Sequence, residues 1–274
     1  MRKAVFCLAG AAFAVTAVAE MKNNPDPKNT LWCEDGKAIV TQAGNSRNGW
    51  NNALKYESMP DGKGFSVEFE GKPTGGRYVE VSAEYPWFVY EISDVELKKG
   101  YCQNAIGFQR VARHAQIGKI FPGVYAFNLY ENSALEKKGR PFMRIDQHGS
   151  KLTYRYMKMV KVPENYIQCD SEAFKSKKAF GAGDKLKFTV TLKDPAEDVA
   201  LSFFKSYTMP QVKLGDGTSL QLKQADKDGR VWTGELAVAP QDGKFKPNDI
   251  WVKADVTGGG IALPLWTAIP YEYK

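Results

Sequence analysis

Histidine is almost missing from this chain: His114 and His148 are the only two among 274 residues. No His-x-x-x-His spacing exists, which removes the zinc metalloprotease helix, and a histidine-rich metal centre is excluded by count. The glycine signatures of nucleotide chemistry are missing too. There is no Gly-x-Ser-x-Gly elbow, no Gly-x-Gly-x-x-Gly turn and no phosphate loop ending in Gly-Lys-Ser/Thr. Elbow-type serine hydrolases, dinucleotide enzymes and nucleotide hydrolases therefore have no support in motif. Cysteine is scarce, with four residues at 7, 33, 102 and 169. Such wide spacing cannot supply the close cysteine pairs of a zinc site. No metal or other cofactor is expected.

Long apolar runs are also lacking, with one exception. After Met1, Arg2 and Lys3 the chain is apolar from Ala4 to Ala19 and then reads Glu20. That run is short for a membrane span of ~20 residues, and Ala17-Val18-Ala19 is a small-x-small cleavage site. Residues 1–19 are expected to be a signal peptide, the mature chain to begin at Glu20 without a transmembrane segment, and the protein to be exported to a bacterial periplasm or beyond. Cys7 leaves with the leader. Cys33, Cys102 and Cys169 remain, enough for one bridge in an oxidising compartment. Cys33 and Cys169 flank the first domain, and domain termini often lie close together, so they are the preferred pair.

Charge of one sign is not concentrated. The formal charge is +7, and loss of Arg2 and Lys3 with the leader lowers it to +5. Lys175, Lys177 and Lys178 form the densest basic stretch. That is too little for a nucleic-acid stripe, so no nucleic-acid partner is expected.

What the chain does have is period-two alternation. Phe65, Val67 and Phe69 alternate with Ser66, Glu68 and Glu70, and Val79, Val81 and Ala83 alternate with Tyr78, Glu80 and Ser82. Half-buried strands produce this pattern. The turn chemistry of Pro73-Thr74-Gly75-Gly76 between the two runs suggests a hairpin. Further strands are expected at 87–92, 106–113, 124–130, 142–146 and 152–162, with His148-Gly149-Ser150 joining the last two. Only 133–138 and 172–178 could form helix, and both are short. A charged, glycine-bearing stretch at 164–183 reads as a linker. Alternation then resumes with Leu186, Phe188, Val190 and Leu192, followed by strands near 212–214, 219–222, 231–238, 250–256 and 261–269. The fold class is all-β, with two β-sandwich domains at 20–163 and 184–274.

The first domain, with PGVYAFNLY and then RPFMRIDQHGSKLTYRYMKMVKVPEN, is similar in rhythm to the jelly-roll sandwiches of carbohydrate-binding modules. The second, with GAGDKLKFTVTL, DKDGRVWTGELAV and a closing glycine-rich hairpin, resembles the immunoglobulin-like domains of exported bacterial proteins. The resemblance implies architecture, not activity.

Candidate sites are few. Asp226 and Asp228 resemble the start of a calcium loop, but Arg230 and Val238 stand where oxygen ligands are needed, so a β-turn is expected. His148 and His114 read as turn and strand-end residues. Glu68, Glu70, Glu80 and Glu91 occupy outward strand positions, as on any solvated sheet. Aromatics carry the best functional signal, because sugar C–H faces pack on flat rings while polar neighbours bind the hydroxyls. Alternation places Trp87 on the same face as Glu91, and Trp50 lies in a polar loop beside Asn51. Trp87, Trp50, Asn51, Glu80 and Glu91 are the candidate ligand-binding residues. The expected function is a non-catalytic binding protein that recognises a glycan or another cell-envelope component. The alternatives are a polysaccharide-active enzyme with a carboxylate pair and a structural or adhesion subunit.

Overall fold

The computed structural model describes residues 33–34, 37–38, 53–58, 65–70, 75–78, 86–97, 102–108, 112–129, 142–148 and 150–274. Within that set it describes the backbone alone at 33–58, 65, 67–78, 107–113, 142–148 and 157–159. The first strands in chain order are β1 (Cys33–Glu34), β2 (Lys37–Ala38), β3 (Ala53–Ser58), β4 (Phe65–Glu70), β5 (Gly75–Tyr78) and β6 (Trp87–Leu97). They continue with β7 (Gln103–Phe108), β8 (Ala112–Ile117), β9 (Gly123–Asn128), β10 (Phe142–His148) and β11 (Ser150–Val160). The C-terminal part opens with β12 (Tyr166–Asp170), helix α1 (Glu172–Lys177), β13 (Ala179–Phe180), β14 (Lys185–Thr191) and β15 (Ala196–Lys205). It closes with β16 (Ser219–Gln221), β17 (Lys223–Gln224), β18 (Val231–Ala237), β19 (Ile250–Gly258), β20 (Leu265–Ala268) and β21 (Glu272–Tyr273). The fold is all-β and of sandwich type.

One large sheet runs through both halves of the molecule in the order β16-β15-β19-β20-β9-β6-β11-β1-β2, with β4 and β3 attached through β11. Smaller sheets, β5-β10-β7-β8 and β12-β14-β18-β17, pack against it. The halves join where β20 runs parallel to β9, with Leu265 opposite Val124 and Trp266 opposite Tyr125. The register shows which face each half buries. Leu265 shares its face with Val124 and faces the core of Leu186, Phe188, Val199, Leu201 and Phe203. Trp266 shares the other face with Tyr125, where Gln116 of β8 donates from Nε2 to the Tyr125 hydroxyl at 2.6 Å. The two small sheets thus cover opposite faces of opposite ends of one sheet.

Aromatic rings bind the halves together across the second of these faces. Tyr90 stacks on Tyr125 at 4.7 Å, Tyr125 lies parallel to Trp266 at 5.9 Å, and Phe121 stacks on Trp266 at 5.4 Å. Trp251 meets Tyr125 and Phe127 edge-on at 6.0 and 5.9 Å. Each such pair contributes about 0.5–1.5 kcal/mol beyond simple burial. Gly123 is needed for this approach: a Cβ there would lie 2.6 Å from Trp266 Nε1 and 2.9 Å from the Pro264 carbonyl. A backbone clip adds to the junction. Tyr207 donates its N–H to the Ala115 carbonyl at 3.0 Å and accepts from the Ile117 N–H, closing the free edge of β8. Tyr207 does so at φ 70°, a left-handed conformation costly for a side-chain-bearing residue.

Several expectations are corrected. Residues 164–183 are not a linker. Tyr166–Asp170 forms a strand against β14, Ser171 caps α1 by accepting the Ala173 N–H, and Ile167, Phe174 and Phe180 belong to the C-terminal core. Of the hairpin expected between 65–70 and 78–83, the first run is β4, which pairs with β3 and β11, and the expected turn residues Gly75 and Gly76 are strand residues of β5, paired with β10; residues 79–83 lie outside the described residues. The strand expected at 106–113 is the hairpin β7–β8. Around His148-Gly149-Ser150 the chain changes sheets, because β10 pairs with β5 and β7 and β11 pairs with β6. Ser66, expected to face solvent, is buried opposite Thr153. The ten-residue β15 was not anticipated: its alternation of Val199, Leu201 and Phe203 is obscured by Phe204 and the acids Glu197 and Asp198 at its start.

Candidate functional site

Trp87 is not an exposed platform. It is 6% exposed and packs in a cluster with Val89, Ala126 and Val160. Tyr166 of β12 covers it, with ring centroids 5.1 Å apart. The stretch mistaken for a linker is what buries this indole. Glu91 lies farther along the same face, where the cover thins, and is half-buried. Burial pushes its carboxyl above the usual range and the Arg155 guanidinium partly offsets that. Burial, and then Glu91 and Glu164, push the neighbouring Tyr156 phenol well up. Trp50, Asn51 and Glu80 lie outside the described residues.

The cysteines occupy different sheets. Cys33 pairs with Met157 on the large sheet and Cys169 lies opposite Phe188 in β12; the Cys33 side chain is outside the described residues. Cys102 is a buried free thiol that donates to the Gly118 carbonyl at 3.1 Å. Asp226 accepts the N–H groups of Arg230 and Val231, each at 3.0 Å, and Gly229 takes φ 69°, so this segment is a turn. Among the described residues no group of three or more His, Cys, Asp or Glu side chains could hold a metal, and no helix is long and apolar enough to cross a membrane.

A cleft forms beside Trp87, where the two halves meet. It is shallow, with about 30 Å³ of space, room for a water or two, behind a mouth open to solvent. Trp87, Phe127, Leu129 and Ile167 supply apolar walls, and Asn128, Gln168, Asn248 and Thr267 supply polar ones. Both halves contribute, since Asn128 ends β9 while Asn248 precedes β19. Thr267 ties them by donating from Oγ1 to the Ala126 carbonyl at 2.8 Å, which leaves the hydroxyl oxygen able to accept. Asn248 is fixed at φ 67°, with its N–H donating to the Ile269 carbonyl at 2.9 Å and its own carbonyl accepting from Trp251 Nε1 at 3.1 Å. Asparagine tolerates the left-handed region better than most residues. Among the described residues the polar walls are amide and hydroxyl groups without charge, which suits a neutral, hydroxyl-bearing ligand.

His114 also lines this cleft, on β8. It is 3% exposed and stacks on Phe127 at 3.7 Å. Neither ring nitrogen has a hydrogen-bond partner, and both are shut off from solvent. Burial lowers its pKa to about 3, so the imidazole is neutral. It is a buried mid-strand residue, not the strand-end residue expected. None of Asn128, Gln168, Asn248 and Thr267 was singled out from sequence. The available signal was Thr267, a lone hydroxyl inside the apolar run Leu265-Trp266-Thr267-Ala268.

No protein-family model and no curated protein matches the chain. It superposes loosely on a DUF4785 family protein from Legionella pneumophila subsp. pneumophila str. Philadelphia 1, with TM-score 0.26 and 12% identity over 90% of this chain and 70% of that one. The glycoside hydrolase domain of Endo-D from Streptococcus pneumoniae R6 gives TM-score 0.27 and 11% identity over 79% of this chain and 35% of that one. Red sea bream transglutaminase gives TM-score 0.24 and 11% identity over 81% and 31%. This chain spans about a third of the latter two proteins, and likeness at this level assigns no activity.

Proposed function

We propose that the protein is an exported, non-catalytic binding protein that holds the end of a neutral glycan at the mouth of the cleft between its halves. The observation that carries this reading is one recess lined by Trp87 and Phe127 and edged by Asn128, Gln168, Asn248 and Thr267. The faces of these two rings are taken by Tyr166 and His114, so the aromatic walls give a sugar van der Waals contact only, and amides and a hydroxyl that match sugar hydroxyls set the recognition. The Trp87 ring is covered by Tyr166, so contact is edge-on and favours a chain terminus over a long strand laid flat. Kinship of the N-terminal sandwich with carbohydrate-binding modules, and of the C-terminal one with immunoglobulin-like domains, is part of the proposal, as is export on the leader-like residues 1–19. The test is a glycan array followed by titration calorimetry and a reducing-sugar assay on the hits. Asn248→Ala and Gln168→Ala should weaken binding about tenfold or more, with no sugar released by the wild type. Binding unaffected by either variant would remove the cleft from consideration, and steady release of reducing ends would establish an enzyme.

A further inference from the structure

His114 stands at the mechanical centre of the junction. Its ring lies between Phe127 of β9, 3.7 Å away, and Trp251 of β19, met edge-on at 6.2 Å. The residues that follow it, Ala115 to Ile117, carry the clip to Tyr207. The same strand therefore holds the imidazole against both halves and fastens the loop after β15. The neutral ring already leaves a donor and an acceptor unpaired there, and an imidazolium would add a buried charge with two N–H donors and no acceptor.

We propose that His114 is an acid-sensitive latch: protonating its imidazole releases β8 and the Tyr207 clip from Trp251 and opens the cleft, while the cores of the two sandwiches stay folded. Charged groups nearby do not compensate. Among the described residues, the only titratable group lining the cleft besides His114 is the Cys169 thiol, which carries no charge in acid. On β6 the nearest acid is Glu91, set against Arg155. On β12 it is Asp170, which bonds the Ser171 N–H and Lys175. Before β19, Asp249 accepts from Ser206 and from the Lys246 N–H, and on β19 Lys253 pairs with Asp255. Lys205 of β15 lies over Phe245, and the described part of β7 lining this region has no charged side chain. The core of the C-terminal sandwich does not include His114, which is why opening can stay local.

The direction follows from linkage. Closed, the imidazole titrates at about 3; released, it returns to its ordinary value near 6.5. The closed state keeps its full advantage above about pH 6.5 and loses it progressively as pH falls toward 3. Between pH 7.5 and 5.0 the open population should rise about 30-fold, and by pH 4.0 about 250-fold.

Hydrogen–deuterium exchange of the full chain, corrected for the intrinsic pH dependence of exchange, tests this. Peptides covering 112–121 and 204–212 should open about 30-fold more readily at pH 5.0 than at 7.5, while peptides in β14 and β18 stay protected. His114→Phe, or His114→Gln if the first does not fold, should abolish the response. The latch is overturned if the variant responds as the wild type does, if the junction peptides do not respond, or if all peptides open together. Should neither variant fold, the His114 ring proton resonances of the wild type decide. A midpoint near 6.5 without increased junction exchange overturns the latch, and a depressed midpoint coupled to that exchange supports it.

Discussion

Replacing Trp87 by alanine separates the two roles the indole could have. A large aromatic side chain buries about 150–250 Å². With Trp87 6% exposed, nearly all of that is removed from water, worth about 5 kcal/mol at ~25 cal/mol per Å². The tilted contact with Tyr166 at 5.1 Å adds about 1 kcal/mol. Neighbours relax into part of the space, and measured aromatic truncations centre on about 3–5 kcal/mol, the loss expected here. Tyr166 belongs to β12 and Trp87 to β6, so the cavity opens on both halves and the damage should register in each. Urea denaturation followed by circular dichroism measures the change. Trp87→Phe, which keeps a ring against Tyr166, should recover more than half of it. A loss of only about 0.5 kcal/mol, as at an exposed site, would refute the packing argument and restore the indole as a free surface.

Gly123→Ala should lower stability by about 1–3 kcal/mol, because the added methyl meets the Trp266 indole and the Pro264 carbonyl and forces β9 from β20; an unchanged thermal midpoint would show that the strands are not in close contact. Burial raises the Glu91 carboxyl, so the folded state binds this proton more readily than the unfolded one. Its contribution is present in acid and lost as pH rises through the raised value. Glu91→Gln should therefore gain stability relative to wild type at pH 7 compared with pH 4, and an equal difference at both would contradict the shift. Limited proteolysis should spare 164–183, whose backbone is engaged in β12, α1 and β13, and an early cut there would show that these elements are not formed.

Much of the strand content was legible because alternation survives wherever one face is wet. Leu186, Phe188 and Val190 are fully buried between the less buried Lys187 and Thr189, as their period of two requires. The site was not legible, for a reason visible in β6. Alternation puts Trp87 and Val89 on the same outward face as Glu91, yet both are buried and only the later positions open outward. A strand that runs from beneath a second layer into solvent changes its environment part-way along. Alternation reports the two faces of a strand but not where along it a covering layer ends. The cover here comes from β12, whose short charged surroundings resemble linker composition although Ile167 is buried.

The junction itself left a trace that periodicity alone could not interpret. All four residues of Leu265-Trp266-Thr267-Ala268 are buried, and so are Trp87-Phe88-Val89-Tyr90. In an isolated two-sheet sandwich a strand faces the core on one side and water on the other. Four consecutive buried positions need a layer on each side, the condition usually met by the central strands of α/β proteins. Here one half of the molecule supplies the second layer to the other. The tie is the parallel pair β9–β20, whose Val124 and Leu265 lie far apart in sequence. Because the small sheets cover opposite faces, the large sheet passes from one cover to the other at β9 and β20. The cleft lies at the edge of that crossing, beside Trp87, Asn128 and Thr267. The candidate site is thus a consequence of how the halves are joined, and substitutions such as Gly123→Ala that shift β9 against β20 should alter ligand binding without touching a cleft residue.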